Sequence, residues 1–364
     1  DVGNIGISTN WNIYNYRPDT LWIENVNFNT TTFSTESDFP ILVEPHGMSQ
    51  INIECFPDTI GIINDSMFIS SPNIMEGAFV KLKVNGMDEH VISGGNISGT
   101  IESAIYRING NINVLRNDSL TILPGTEFLF DGPYSFSIEG MLTAKGTKED
   151  SIIFDNYYGV NPDERWKGIT LDSTQTTPVF EYVRISHAWK KQGGGLYLYK
   201  GSLKMNHAII SGNFADNGGG IWMRKSNNSN SASNTLISDV LINHNQAFQL
   251  GGGIYIWSSD PILSNVIVSN NNAETGGGIF TTHYANPMIK NVIINDNYAS
   301  SHGGGMFLTG NNSNPILINT TISNNIADHG GGLYMNNSTN LSIINSIIWT
   351  NNSMLEGNIN NALF

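Results

Sequence analysis

The second half of the chain repeats one pattern of hydrophobic and polar positions. Three glycines are followed by an aliphatic, an aromatic and a second aliphatic residue, as in "GGGLYLYKG" at 193–201 and "GGGIYIWSS" at 251–259. The apolar positions alternate with period two, and the spacing of an amphipathic helix is absent from the repeats. The pattern therefore predicts short β-strands and an all-β fold.

The repeats keep a nearly regular interval. Glycine triplets begin at residues 193, 218, 251, 276, 303 and 330, so the steps are 25, 33, 25, 27 and 27 residues. A recurring asparagine keeps a similar interval, at Asn213, Asn245, Asn271, Asn297, Asn325 and Asn351. This period suits one coil of a parallel β-helix, whereas a leucine-rich repeat would show a leucine frame and a propeller blade needs about 40 residues.

Stacked coils place equivalent residues in rows about 4.8 Å apart. We expect the asparagines to form a structural ladder, taking the left-handed conformation of a tight corner and hydrogen-bonding their stacked copies, while the glycines relieve crowding. The aliphatic row should face the interior: Leu196/Leu198, Ile221/Met223, Ile254/Ile256, Ile279/Thr281, Met306/Leu308 and Leu333/Met335. The aromatic row should face solvent: Tyr197, Trp222, Tyr255, Phe280, Phe307 and Tyr334.

The composition and charge of the chain argue against nucleic-acid binding and membrane insertion. With a net charge of −14 and only 13% charged residues, the chain should repel nucleic acid, and none of its apolar stretches reaches the length of a membrane helix. The single cysteine, Cys55, lies in the alternating run "INIECFP" and is expected to be a buried core thiol. No cofactor, metal or membrane insertion is expected.

Two resemblances to known families divide the chain. The strings "DVGNIGIS", "LWIENV", "VEPHGMSQINIECFP" and "VKLKVNG" resemble the immunoglobulin-like module of the ASPM/SPD-2/Hydin type, which implies a non-catalytic β-sandwich over residues 1–90. The strings "LTILPGTEFLF" and "RWKGI" resemble the opening coils of secreted right-handed parallel β-helix proteins, which implies that fold over 91–364. The repeats are similar to those of large bacterial surface proteins and, loosely, of the polymorphic outer-membrane family. An extracellular or bacterial cell-surface location follows from the resemblance.

Candidate ligand-binding residues lie along and beside the aromatic row. Exposed rings could pack on the apolar faces of sugars, or could simply stack on one another and stiffen the sheet. Beside them a row five positions beyond each last glycine includes Lys200, Lys225 and His283, with Arg224 adjacent, and this row could hold an acidic polysaccharide. The insertion at 226–234 is expected to bulge beside Trp222.

Two further patterns give weaker evidence for a function, one for glycoside hydrolysis and one for metal binding. The carboxylates Asp216, Glu274 and Asp328 recur three residues after a ladder asparagine, which could place an inverting pair on alternate coils. His302 and His329 could approach each other but lack a clear third metal ligand, so solvated histidines are expected.

Three functions are compatible with the sequence. The first is a non-catalytic secreted or cell-surface protein that binds glycans, or neighbouring surface proteins, through an exposed aromatic ladder. The second is a polysaccharide-degrading enzyme, a lyase before a hydrolase. The third is a structural spacer or filament subunit.

Overall fold

A computed structural model describes residues 7–57, 61–73, 78–86, 89–157, 164–174, 176–225, 235–310, 312–336, 339–352, 355–357 and 362–363. The chain divides into two compact units, Asp1–His90 and Val91–Phe364. Within the described ranges the regular structure consists of β-strands, without an α-helix. Consequently, that part of the chain contains no apolar helix of membrane-spanning length.

The N-terminal unit is built from antiparallel strands in sheets of three, three and two strands. The longest pairings join its first strand to its sixth and its seventh to its eighth. Cys55 is buried in the core of this unit, as predicted, and burial raises the pKa of its thiol. The strands are Ile7–Tyr14, Leu21–Ile23, Asn25–Phe28, Phe33–Ser34, Ile41–Val43, Met48–Cys55, Gly61–Ser70 and Ala78–Gly86.

The second unit is a stack of coils whose strands form three parallel sheets of 11 strands each. Sheet A follows the glycine triplets and consists of Gly95–Asn96, Ile112–Val114, Phe136–Ile138, Ile169–Asp172, Leu196–Tyr199, Ile221–Arg224, Ile254–Trp257, Ile279–Thr282, Met306–Leu308, Leu333–Met335 and Leu355–Gly357. Sheet B comes next in each coil and consists of Gly99–Ile101, Ser119–Ile122, Met141–Lys145, Val179–Glu181, Lys204–Asn206, Leu236–Ser238, Ile262–Ser264, Met288–Lys290, Ile316–Ile318, Leu341–Ile344 and Ala362–Leu363.

Sheet C completes the coil with Glu89–Ile92, Ile105–Ile108, Glu127–Phe130, Ile152–Asn156, Val183–Ser186, Ile209–Ser211, Leu241–Asn243, Ile267–Ser269, Ile293–Asn295, Thr321–Ser323 and Ile347–Trp349. A shorter parallel sheet D lies between sheets C and A in four coils and consists of Phe214–Asn217, Gln246–Leu250, Asn272–Thr275 and Tyr298–His302. The predicted all-β architecture of stacked parallel coils is confirmed.

The interior is filled by the aliphatic row that the alternation predicts. All twelve predicted inward residues are at most 2% exposed. The coils that precede the glycine triplets use aromatic side chains instead, among them Phe128, Phe154 and Phe180, all fully buried. Trp166 is also fully buried, stacks on Phe130 at 4.5 Å between ring centroids, and donates its indole N–H to a backbone carbonyl. A continuous core therefore runs through the coils.

The predicted asparagine ladder is present and buried, with exposures of 9% or less. Asn271 illustrates its bonding. Its Nδ2 donates to Asn297 Oδ1 at 3.0 Å and to the Ile242 carbonyl at 2.9 Å, and its backbone N–H donates to the same Asn297 Oδ1 at 3.0 Å. Its own Oδ1 accepts the equivalent two bonds from Asn245. Each carboxamide thus satisfies a corner of the backbone that sheet pairing cannot reach.

The left-handed corner is one residue earlier than predicted. The ladder asparagines have negative φ, and the bend is made by the residue before each of them, with φ between 53° and 67°: Gly212, His244, Asn270, Asp296, Asn324 and Thr350. The side chain of each ladder asparagine makes the buried hydrogen bonds. The residue before it therefore adopts the left-handed backbone, and that residue is exposed in five of the six corners.

The glycine triplets relieve crowding between coils, as predicted. The first glycine of each triplet has φ between 58° and 69°. A Cβ on the second or third would meet a neighbouring carbonyl oxygen, at 2.3 Å from Tyr298 O for Gly277 and 2.5 Å from Gly305 O for Gly278. Only glycine permits this approach of backbones.

Removing one ladder carboxamide should destabilise the coil stack. Asn271→Ala leaves the amides of Asn245 and the Ile242 carbonyl without their partner, at a cost of about 1–3 kcal/mol for each buried polar group left unsatisfied. We expect a lower midpoint of urea unfolding, measured by circular dichroism.

Asn272→Ala is the matched control. Asn272 directly follows Asn271, is exposed on sheet D and lies outside the left-handed region, so its loss should cost about 0.5 kcal/mol or less. Equal destabilisation by the two substitutions would contradict a special role for the buried ladder.

Candidate functional site

The outer face of sheet A carries a continuous stack of aromatic rings at the second position of each strand. Neighbouring ring centroids along this ring ladder lie 4.6, 6.0, 5.2, 5.1 and 5.2 Å apart, and the ring planes differ by 7° or less. The ladder runs in strand register through Tyr197, Trp222, Tyr255, Phe280, Phe307 and Tyr334. The predicted columns of rings outside the aliphatic core are therefore present.

The predicted solvent exposure of this ladder is wrong. The four central rings are only 3%, 5%, 6% and 8% exposed, and only the terminal Tyr197 and Tyr334 are partly exposed. Each inner ring is covered on both faces by its neighbours, and Leu250, Tyr199 and Trp257 pack against the stack. The stack is consequently a second hydrophobic core on the outside of sheet A, and its central members offer no open ring face to a ligand.

Polar side chains cover both ends of the ring ladder. At one end the ammonium of Lys190 lies 4.8 Å from the Tyr197 ring centroid and donates to Thr170 Oγ1 at 2.5 Å. Burial lowers the pKa of Lys190 to about 8, although Asp172 acts in the opposite direction. At the other end the His302 ring meets the edge of Tyr334 at 4.6 Å.

The two predicted histidines do come together. The rings of His302 and His329 stack at 5.0 Å; His329 is exposed as expected, but His302 is half-buried. Within the described ranges, no group of three His, Cys, Asp or Glu side chains could hold a metal ion.

A second row, at the fourth position of the sheet A strands, carries the accessible chemistry. Tyr199, Arg224 and Trp257 lie in register on three successive coils, and all three are partly exposed. The guanidinium of Arg224 lies 4.5 Å from the Trp257 ring centroid and 5.9 Å from that of Tyr199. We call these three residues the cation–aromatic row.

Two of the predicted cationic candidates extend this row. The ammonium of Lys200 lies 4.7 Å from the Tyr199 ring, and the His283 ring stacks on Trp257 at 4.8 Å. Both residues have left-handed backbones, with φ of 52°, which turns the chain out of sheet A. Lys225 instead faces Asp260, with 3.9 Å between Nζ and Oδ2. The structure therefore brings Lys200, Arg224 and His283 together, but around Tyr199 and Trp257 instead of the predicted ladder rings.

Sequence reasoning missed Tyr199 and Trp257. The signal was available in the same alternation, because residues two and four of a strand point to the same side. "LYLY", "IWMR" and "IYIW" each place an aromatic or cationic side chain at the fourth position. The second position carries a ring in six successive coils, whereas this row covers only three, so its repetition in the sequence is weaker.

Cationic side chains are concentrated in the coils around this row. Residues 165–225 contain nine of the 17 Lys and Arg residues but only three of the 31 Asp and Glu residues, a net charge of +6 in a chain of −14. Several of the nine lie over rings: besides those above, Arg165 lies 4.3 Å from the Phe214 ring and Lys167 lies 4.4 Å from that of Trp189. This positive, ring-bearing surface is the candidate site.

The remaining predicted features lie elsewhere. Asp216 and Glu274 belong to sheet D, and Asp328 follows the same part of its coil, so this carboxylate row is separated from the cation–aromatic row by the glycine turns. The insertion at 226–234 lies outside the described residues.

Comparison with known proteins agrees with the architecture. The family described as "Right handed beta helix region" matches residues 230–362, a little over a third of the chain. This chain is a parallel β-helix repeat protein. No curated protein and no solved structure matches it. The matched segment contains the ladder asparagines from Asn245 onward, whereas the cation-rich coils precede it.

Burial of the ring ladder should be measurable through Tyr255. Burial raises the pKa of its hydroxyl to about 12, against about 10 for an exposed tyrosine. Because the folded-state pKa is the higher one, the stabilising contribution is complete below pH 10 and is lost as the pH rises through 12. We expect Tyr255→Phe to lose less unfolding free energy than the wild type between pH 10 and 12, as measured by denaturant titration at each pH. Equal losses in both proteins would contradict the burial of Tyr255.

Proposed function

We propose that this chain is a non-catalytic, secreted or bacterial cell-surface protein that binds an acidic glycan on the outer face of sheet A. The observation that supports this proposal is the cation–aromatic row, with Lys200 and His283 at its ends. Tyr199, Lys200 and Arg224 belong to the segment 165–225, whose net charge is +6, and Trp257 and His283 lie on the next two coils. A protein with a net charge of −14 would otherwise repel anions.

The chemistry of the row suits a charged sugar polymer. Partly exposed tyrosine and tryptophan rings can pack on the apolar faces of sugar rings, and guanidinium and ammonium groups bind carboxylates or sulfates. The row repeats at the strand spacing of about 4.8 Å, which is near the length of one sugar unit in an extended polysaccharide. Successive coils could therefore contact successive sugar units.

The buried ring ladder packs against side chains of this surface and holds them in position. Tyr199 and Trp257 both pack against it, so their side chains are held in place before a ligand arrives. Binding then requires little additional ordering, which otherwise costs about 0.5–1.5 kcal/mol for each immobilised side chain. On this proposal the ladder is the support and the cation–aromatic row is the contact surface.

The N-terminal unit belongs to the same proposal. Its small antiparallel sheets are compatible with an immunoglobulin-like module of the ASPM/SPD-2/Hydin type, and its sequence resembles that module. Such a module would act as a spacer or docking domain without catalysis. This role is in keeping with a location outside a bacterial cell.

Removing the partly exposed Trp257 should weaken binding of an acidic polysaccharide. We expect Trp257→Ala to raise the dissociation constant for polygalacturonate, alginate or a sulfated glycan about tenfold, equivalent to roughly 1.4 kcal/mol. Arg224→Gln should weaken binding similarly and should reduce its salt dependence, because exposed charge interactions are screened within about 3 Å at 1 M salt. Affinity electrophoresis and calorimetry measure both effects.

Trp349→Ala is the matched control. Trp349 is 62% exposed, lies on sheet C and should be neutral for binding. The proposal fails if no acidic glycan binds, or if Trp349→Ala is as harmful as Trp257→Ala. Stronger binding of neutral than of acidic glycans would overturn the charge preference.

A polysaccharide lyase is the second candidate, and Lys190 is the observation that favours it. A lysine with a pKa of about 8 is partly neutral in mildly alkaline solution and can accept a proton. Neutral Lys190 would take the C5 proton of a uronate while the C4–O bond breaks, which gives an unsaturated uronate. The departing oxygen would take a proton from solvent and become a new sugar hydroxyl. A nearby cation would stabilise the carboxylate during this step.

This second candidate has a direct assay. Incubation with acidic polysaccharides should release unsaturated product, which is detected by its ultraviolet absorbance. Lys190→Met should abolish this product. Lys191→Met, at the exposed neighbouring residue, should leave product formation unchanged. Binding without product supports the first function. Neither binding nor product leaves a structural spacer or filament subunit.

A further inference from the structure

The faces formed by sheets B and C carry exposed aliphatic rows that the proposed glycan site does not use. Two rows flank the corner between the sheets in the coils from residue 236 to residue 349. The more exposed members, at 37–59%, are Ile262, Met288, Ile267, Ile293 and Ile347. Parallel pairing keeps each row in register along the coil axis.

This surface is also almost free of charge. In the sheet B strands, the sheet C strands and the corners joining them, residues 236–243, 262–269, 288–295, 316–323 and 341–349 contain only two charged side chains, Asp239 and Lys290. Both are exposed. Regular apolar patches on soluble proteins usually meet a partner, and a partner for this face must also be nearly neutral.

We propose that this face binds a second copy of the chain in a two-fold symmetric dimer with antiparallel coil axes. The two charges support this occupant. Ser238 and Lys290 lie one coil to either side of Ser264 in the sheet B register, and Asp239 directly follows Ser238. A two-fold axis along the strand at Ser264 therefore places Asp239 of each copy opposite the Lys290 region of the other. The face is therefore complementary to itself in charge.

The size of the face predicts a weak dimer. A two-fold axis at Ser264 pairs three of the neutral coils, because residues 236–243 then face residues 288–295 and residues 262–269 face their own copy. Three coils at about 4.8 Å, and about eight residues across at roughly 3.3 Å each, give roughly 400 Å² per copy. Stable interfaces bury about 800 Å² per partner, so only a weak dimer that forms at high protein concentration is expected. Like-charge repulsion elsewhere on the acidic chain should make the dimer more stable at high salt.

Sedimentation velocity of the full chain over a range of concentrations tests the dimer. The expected result is a shift from the monomer mass of 39.8 kDa towards twice that mass. Ile267→Lys combined with Ile293→Lys should weaken the dimer at least tenfold, because it buries unpaired charge. Ile326→Lys is the matched control: Ile326 is 51% exposed, lies on another part of the coil, and should leave the dimer intact.

A charge exchange tests the antiparallel arrangement. Asp239→Lys and Lys290→Asp should each weaken the dimer, and the double variant should restore it. Lysine at residue 239 is compatible with the left-handed backbone there, since Lys200 adopts the same conformation in this chain. Circular dichroism melts verify that each variant is folded.

Several results would overturn the proposal. A monomer at all concentrations, an open-ended polymer, or greater sensitivity to Ile326→Lys than to the double isoleucine variant would each exclude this interface. Failure of the double charge variant to recover association would exclude the antiparallel arrangement.

Discussion

Hydrogen bonding at the corner between sheets C and D governs the arrangement of the other parts of the coil. The chain must bend there while its backbone groups are buried, and sheet pairing cannot satisfy them. A single asparagine carboxamide solves this by accepting from the amides of the coil before it and donating to the next asparagine and to a strand carbonyl. Because the coils from Asn213 to Asn351 use the same bonds, the ladder holds these coils in one register. The glycine triplets and the aromatic positions then align automatically.

The period, the inward aliphatic row and the ladder asparagines could all be predicted from sequence, because each depends on the chain's own repeat. Ring burial could not be predicted in this way. Whether Tyr255 faces water depends on the rings above and below it and on Leu250 and Trp257, which reach it from other positions of the coil. The one-residue error in the left-handed corner has a similar origin, since asparagine is suited both to the bend and to the buried hydrogen bonds. Only the structure separates these two roles.

The candidate site combines rigid support with local charge. The stacked rings form an apolar layer that is distinct from the interior core, so residues on its border are fixed on one side and solvated on the other. Arg224 lies over two rings of this border and Lys200 over one of them. Contact with a ring restricts the conformations of these long side chains and leaves their charge in place. A carboxylate partner would restrict the conformations and also neutralise the charge. A positive surface can therefore persist in an acidic protein.

The same coil geometry separates two kinds of surface. Interior residues, ladder asparagines, glycines and the ring ladder are constrained by contacts with neighbouring coils, but the other outward positions on the three long sheets can vary independently. Sheet A carries cations beside its rings in the coils before residue 226, whereas sheets B and C carry almost only neutral aliphatic and small polar side chains in the coils after residue 235. A charged ligand is attracted to the first surface and gains nothing from the second. A neutral partner has the opposite preference, because covering the first surface would require desolvating its cations. Ligand binding and self-association would therefore use different surfaces of the chain and would not compete.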